Sequence, residues 1–341
     1  MGQRIDVIAT TISGSISDWG KVKQIVPLFR GHGETEVTLY TADSHREARE
    51  TACRLVQSGS RTVISAGGSG TFNSVIEGCY DSGVDLTGIR LGFLRKGSAD
   101  LIGKVLGMPD TIEEAVEVFV RSIRDDRVVP CDVLQVSSGG GEPPSRRFVG
   151  YGGAEIFGEI PYYTENRYIK YYKGILGQLF GDLGPFFVGT NMAILARLFG
   201  SARRAMFLVK RGEGARRRWT ISVDGSDVSE GIFQAMIVVN GDLGPNLPFA
   251  RSVPLGSGDF HLFALRDMGI WNIYRQMKHA FDATIMNDPA RWGFESFRIG
   301  DNLILRPDDG GVFPVNVDGS TMLCRQSARF EIVDRINLIS R

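Results

Sequence analysis

The chain has 341 residues, longer than one ordinary domain, so two domains are expected. Its formal charge is zero and 43% of its residues are hydrophobic, which leaves neither the basic footprint of nucleic-acid binding nor a disordered composition. The 43 glycines are spread along the whole chain, a pattern of many turns and close backbone approaches.

The predicted elements begin with a short β-type run, Ile5–Ala9. Trp19, Val22, Ile25, Val26 and Phe29 fall on one helical face. Glu36–Tyr40 reads as a strand, and Ser44–Gln57 as a helix capped by Ser44. Thr62–Ser65 is a strand that runs into Ala66-Gly67-Gly68-Ser69-Gly70-Thr71, followed by a helix from Asn73 to Tyr80. A strand at Arg90–Leu94 and a helix at Ile112–Ile123 complete a run of alternating strands and helices. Such alternation predicts a parallel sheet covered by helices on both faces.

After Val128 the texture changes. Ser137–Ser145 reads as a hairpin loop between strands Cys131–Val136 and Arg147–Tyr151. Further β-type runs follow at Ala205–Lys210, Trp219–Val223, Gln234–Asn240, Phe260–Leu265, Ser296–Ile299, Leu303–Arg306 and Val315–Val317. Short strands separated by turn signals predict an antiparallel β-sandwich, interrupted by a helical insert near 168–201. The domain boundaries expected from this change are 1–128 and 129–325, with 326–341 returning to the first domain.

Cys53, Cys79, Cys131 and Cys324 lie far apart without ligand spacing, so they read as free thiols and not as a zinc site. The N-terminal apolar run is too short for a signal peptide, and Asp6 stands where a myristoylation motif wants Ser or Thr. The apolar stretch Gly184–Gly200 is broken by Asn191 and Arg197, short of a membrane span. A cytoplasmic protein with at most a peripheral contact to membrane is expected.

The glycine turn is the chemically informative segment. Glycines after a strand let backbone N–H groups approach an anion, and the helix that follows adds a partial positive charge. Thr71 and Asn73 are candidate side-chain donors to phosphate oxygens. Taken alone, the same residues also describe an ordinary tight strand–helix turn.

Residues downstream carry a resemblance. Leu91, Gly92, Gly97, Ser98, Leu106, Gly107 and Pro109 fit the second signature of the diacylglycerol kinase catalytic family, with Lys104 in place of an arginine. Gly67–Thr71, Asn73 and Glu77-Gly78 resemble its glycine loop. Val239-Asn240-Gly241 with Pro248 and Ala250, and Val317-Asp318-Gly319, are similar to its later elements. The family also includes sphingosine and ceramide kinases, and NAD kinases share the glycine loop.

The resemblance implies a Rossmann-like α/β nucleotide-binding domain followed by an antiparallel β-sandwich. It implies ATP as phosphate donor, magnesium, and a lipid acceptor at a membrane surface. Gly67, Gly68, Ser69, Gly70, Thr71, Asn73, Gly97 and Ser98 are then the expected nucleotide ligands. Several of the family's acidic positions are altered: Ser69, Ser257, His261 and Ser320 stand where it carries carboxylates. Serine brings no charge for a metal and no base near neutrality. Asp318 is the first remaining candidate to orient the acceptor, and Asp259 the second, with Asp100 and Asp242 behind them. Arg95 and Lys96 are candidate phosphate partners in place of metal.

The expected activity is therefore phosphotransfer to a lipid hydroxyl. The alternatives are a nucleotide-binding homologue without catalysis and, more weakly, a kinase for NAD or a soluble polyol. For the acceptor side, the Tyr- and base-rich Tyr162–Lys173, the apolar Ile175–Phe199 and the clusters Arg203-Arg204 and Arg216–Arg218 are candidates for a membrane surface. A homodimer is also expected.

Overall fold

The computed structural model describes residues 3–10, 20, 22–34, 36–95, 101–109, 111–140, 145–164, 188–196, 217–244, 250–282 and 284–341. The first part is β1 (Ile5–Thr10), α1 (Ile25–Gly31), β2 (Val37–Ala42), α2 (His45–Gln57), β3 (Thr62–Gly67), α3 (Ser69–Asp81), β4 (Arg90–Arg95), α4 (Leu101–Val105) and α5 (Ile112–Arg124). The second holds β5 (Val128–Ser138), β6 (Ser145–Phe148), β7 (Tyr151–Glu155), α6 (Ile156–Thr164), β8 (Arg218–Val223), β9 (Ser226–Val239), β10 (Phe260–Arg266) and α7 (Ile270–Phe281). It ends in β11 (Phe294–Ile299), β12 (Asn302–Pro307), β13 (Val312–Val317), β14 (Ser320–Arg325) and β15 (Ala328–Ile339).

In the first part the strands pair in parallel in the order β2-β1-β3-β4. Helices cover both faces, so β1 and β3 are buried along their whole length, including the polar Asp6, Thr10, Thr62 and Ser65. Chain order reverses between β1 and β3. Open α/β sheets leave a crevice beyond the carboxyl ends of the strands at such a reversal. Thr10 ends β1 and Gly67 ends β3, so the glycine turn opens at that crevice. Behind it α2 and α3 pack closely: a Cβ on Gly78 would lie 2.1 Å from the Arg49 carbonyl oxygen. Helix α2 starts at the predicted cap, where Ser44 Oγ accepts from Glu47 N at 3.1 Å.

The second part is the expected pair of antiparallel sheets. One is built on β8, β12, β15 and β5, the other on β14, β13, β7, β9, β10 and β11. The long strand β9 belongs to both. Between them lies a core that includes Phe148, Trp219, Phe233, Phe260, Phe313 and Phe330. Strand β15 leaves the sandwich and runs parallel to β4, pairing Asn337 with Arg90. Through it the parallel sheet and the β8-β12-β15 sheet of the sandwich are continuous.

The structure departs from the expected elements in particular places. Helix α3 starts at Ser69, one turn before Asn73, because Gly68, Ser69 and Gly70 have weak helix propensity and hide its start. Helix α7 and strands β14 and β15 are additional to the predicted elements. Of the expected helical insert, residues 188–196 are helical, and Ala193 and Ile194 pack with Ile156 of α6 and Ile273 of α7. The remainder of the insert, the run 205–210 and the cluster at 203–204 lie outside the described residues. Arg217 pairs with Asp309 at 3.0 Å, so that end of the arginine cluster is held by a neighbouring turn. Cys79, Cys131 and Cys324 are buried free thiols and Cys53 is partly exposed.

Candidate nucleotide site

The site is built on the turn from β3 into α3. Gly68 is the residue before the helix, with φ −95° and ψ −177°, and makes no side-chain cap. Its carbonyl accepts from Thr71 N at 3.0 Å and Phe72 N at 3.1 Å. The N–H groups of Ser69 and Gly70 precede those and have no acceptor within the helix. Among the described residues nothing lies within 4 Å of a Cβ placed on Gly68, so they leave this side of the turn open. The opening and the first-turn amides suit a phosphate oxygen.

The other glycines act inward. A Cβ on Gly67 would lie 2.4 Å from Thr71 Oγ1, so glycine there lets the threonine fold back over the strand end. Thr71 is only 1% exposed, and its Oγ1 lies 2.7 Å from Thr10 Oγ1. Its hydroxyl therefore ties α3 to β1 instead of facing the opening. Gly70 makes room for His45, whose Cε1 would be 2.8 Å from a Cβ at that position.

One turn into α3, Asn73 donates a hydrogen bond to Asp318, while its Oδ1 is buried without a partner. Asp318 and Gly319 form the two-residue loop between β13 and β14, with φ 44° and 86°. Both central residues at positive φ make the tight hairpin turn that Asp-Gly favours. The Asp318 carboxylate points back into the protein. Its Oδ1 accepts from Tyr151 N at 2.7 Å, and its Oδ2 from Val149 N at 3.2 Å and Gly150 N at 3.3 Å. A side chain on Gly150 would stand 2.5 Å from Oδ1. Burial pushes the Asp318 carboxyl up to about 6, against the opposing pull of these amides and of Asn73.

The β13–β14 loop also forms a wall of the opening. The Cβ position of Gly319 is 3.3 Å from Ser69 Oγ and 3.6 Å from Tyr151 Oη. Asn316 supports the loop from below, accepting from Gly319 N at 2.9 Å and donating to Phe157 O at 3.1 Å. Asn240 is fully buried and donates to Asp132 O at 2.6 Å and Val149 O at 2.9 Å. It anchors the segment that carries the three amides. Glu77 accepts from Arg147 N at 2.8 Å and Nη1 at 2.9 Å, joining α3 to β6.

Asp259 stands elsewhere, at the entry to β10. Ser257 Oγ donates to it at 2.5 Å, and Arg298 of β11 forms an ion pair with it. Burial raises its pKa, and the hydrogen bonds from Ser257 and Arg298 outweigh that and hold it below the usual carboxylate range. His261 follows on β10, opposite Val239, which is itself opposite Tyr151. Burial lowers its pKa. Asp242 accepts from Gly244 N at 2.9 Å and Ser252 N at 2.8 Å and closes a local loop. The structure thus brings together Gly68, Ser69, Gly70, Asn73 and Asp318. Gly97, Ser98, Lys96 and Asp100 lie outside the described residues, as does the Arg95 side chain.

Tyr151, Gly150 and Asn316 join the site without having been expected there. The Asp-Gly hairpin turn is a usable signal for the loop, but its partners are Val149 and Gly150 between β6 and β7 and Tyr151 at the start of β7, more than 160 residues earlier. Among the described residues no group of three or more His, Cys, Asp or Glu is placed to hold a metal ion. Ser69 and Ser320 offer neutral hydroxyls, and the Asp318 oxygens are taken by amides. The described residues therefore fit a phosphate but not a magnesium ion. No described helix is long and apolar enough to cross a membrane.

This two-domain arrangement, with a glycine turn at the reversal of a parallel sheet and a sandwich beside it, is a known fold. A diacylglycerol kinase structure from Bacillus anthracis superposes with a TM-score of 0.64 at 16% identity, covering 99% of this chain and 97% of that one. An NAD kinase from Archaeoglobus fulgidus, in complex with ATP, superposes at 0.51 with 10% identity over 98% and 93%. At these identities the likeness shows the fold alone. Residues 4–136 match the family model of the diacylglycerol kinase catalytic domain. A comparison with curated proteins finds no match.

Proposed function

We propose that the chain binds ATP at the N-terminus of α3 and transfers its terminal phosphoryl group to the hydroxyl of a lipid. One observation carries the nucleotide half of this reading: the open face at Gly68 beside the first-turn amides of Ser69 and Gly70. The catalytic-domain match supports the reaction class, and the lipid follows from that family likeness. Phosphoryl transfer is mainly positioning and charge stabilisation, and fixed backbone dipoles supply part of that. In this reading Ser69 and Gly70 hold phosphate oxygens, and Asn73 and the β13–β14 loop fix the approach of the acceptor. Asp318 serves as a positioning residue: its carboxylate orders the loop and the 149–151 segment. The lipid would be met at a membrane surface by a peripheral protein.

A second reading, nucleotide binding without transfer, is favoured by the engagement of Asp318. Its oxygens already accept backbone amides, and Ser69 and Ser320 bring no charge to the opening. The experiment is incubation with labelled ATP and magnesium, with diacylglycerol, sphingoid base, ceramide or NAD as acceptor. Label in a lipid product is the expected result, and label in NAD would replace the lipid with a soluble acceptor. Calorimetric ATP binding with no transfer to any acceptor would establish the second reading.

A further inference from the structure

Tyr151 is absent from the motifs that suggested nucleotide binding, yet its hydroxyl is held at the edge of the same opening. Its backbone is clamped from both sides by one residue: its N–H donates to Asp318 Oδ1 at 2.7 Å, and its carbonyl accepts from Asp318 N at 2.9 Å. Its ring packs edge-on against Phe157, with centroids 5.7 Å apart and planes at 73°. Backbone and ring are therefore fixed, and the partly exposed side chain delivers its oxygen to the Gly319 turn. There it shares one small space with Ser69 Oγ, since both lie within 3.6 Å of the Cβ position of Gly319. Gly319 has φ 86° and no side chain, so the space between the hydroxyls is not filled from the turn.

Ser69 is the first residue of α3, so the Tyr151 hydroxyl faces the end of the helix where the phosphate chain would arrive. We propose that Tyr151, with Ser69, recognises the terminal phosphoryl group of the nucleotide, distinguishing a triphosphate from a diphosphate by hydrogen bonds to its outer oxygens. This rests on the nucleotide reading above and adds a specificity residue to it. A phenol and a serine are neutral donors that suit an anion, and the neighbouring Asp318 carboxylate is turned toward the backbone amides of 149–151.

The test is Tyr151→Phe, which keeps the ring, its packing on Phe157 and both backbone hydrogen bonds. ATP and ADP affinities are measured by calorimetry on the full chain, with a thermal melt as control. Loss of a hydrogen bond to a charged oxygen predicts ATP binding weakened by about tenfold or more, with ADP binding within about twofold of the unaltered protein. Equal weakening of both ligands, or no change in either, would overturn the assignment while leaving the nucleotide reading in place. If the unaltered protein binds neither ligand, the nucleotide reading falls and this assignment falls with it. Ser69→Ala is expected to repeat the ATP-selective loss, and an indifferent Ser69→Ala would remove the serine from the pair.

Discussion

Replacing Gly68 with glutamate is expected to abolish ATP binding while the protein stays folded. The backbone at Gly68 is extended, a conformation open to any residue, and a new Cβ meets no described residue within 4 Å. Little strain is introduced, so stability should change by no more than about 1 kcal/mol. The carboxylate, however, would occupy the opening where the phosphate is placed. Two anions a few ångströms apart near a protein surface repel by several kcal/mol, so affinity should fall by about a hundredfold or more. Gly68→Ala is the matched control, adding a methyl group without charge, and should weaken binding far less. Calorimetry on the three proteins decides the matter: equal affinities would mean that the phosphate lies elsewhere.

The second large effect is expected at Asp318, and it concerns stability before chemistry. Asp318→Ala leaves the amides of Val149, Gly150 and Tyr151 and the Asn73 side chain without their acceptor. Orphaned buried donors cost about 1–3 kcal/mol each where water cannot reach them, so a loss of about 3 kcal/mol or more is expected in urea unfolding. Asp318→Asn keeps one acceptor oxygen and removes the buried charge, and should be much milder.

The pH dependence follows from the same burial. The Asp318 carboxyl is raised to about 6 in the folded protein from 3.8 as the reference for the open chain. Between those values the folded state holds the proton that the unfolded state has released, so this group's contribution to stability falls as pH rises. The advantage of the unaltered protein over Asp318→Asn should therefore shrink from about pH 4 to about pH 6 and stay level above. An advantage that grows across this window would mean that the carboxylate is stabilised, not penalised, in its pocket.

Local signals in the sequence were enough for the first domain. Ser44 announces the start of α2, and β1 and β3 are rich in β-branched and apolar residues because helices cover both faces of the sheet. The glycine turn was visible for the same reason, since backbone approach needs a residue without a side chain. What it did not disclose was the division of labour within the turn. Gly67 makes room for Thr71 and Gly70 for His45, whereas a Cβ on Gly68 meets no described residue within 4 Å. Such differences depend on packing partners distant in sequence.

The second domain was less legible. Strand β15 carries Glu331, Asp334 and Arg335 in its middle and a register shift between Ile332 and Asp334, which breaks its alternation. Its burial comes from β5 on one side and β12 and β4 on the other, none of them adjacent in sequence. Helix α7 follows Gly269, which has φ 89° and offers no side-chain cap, so no start signal precedes its apolar face. The Asp-Gly motif marks Asp318 in the sequence, but the three amides that its carboxylate accepts are brought to it only by the fold.

The central claim is that main-chain N–H groups at the start of α3 receive the phosphates of a nucleotide. It is tested most directly by amide NMR on protein selectively labelled at serine and glycine, titrated with ATP. The Ser69 and Gly70 amide resonances are expected to move furthest and to saturate with the calorimetric affinity, and Gly68→Glu is expected to suppress the movement. Saturable ATP binding that leaves both amides unmoved would contradict it.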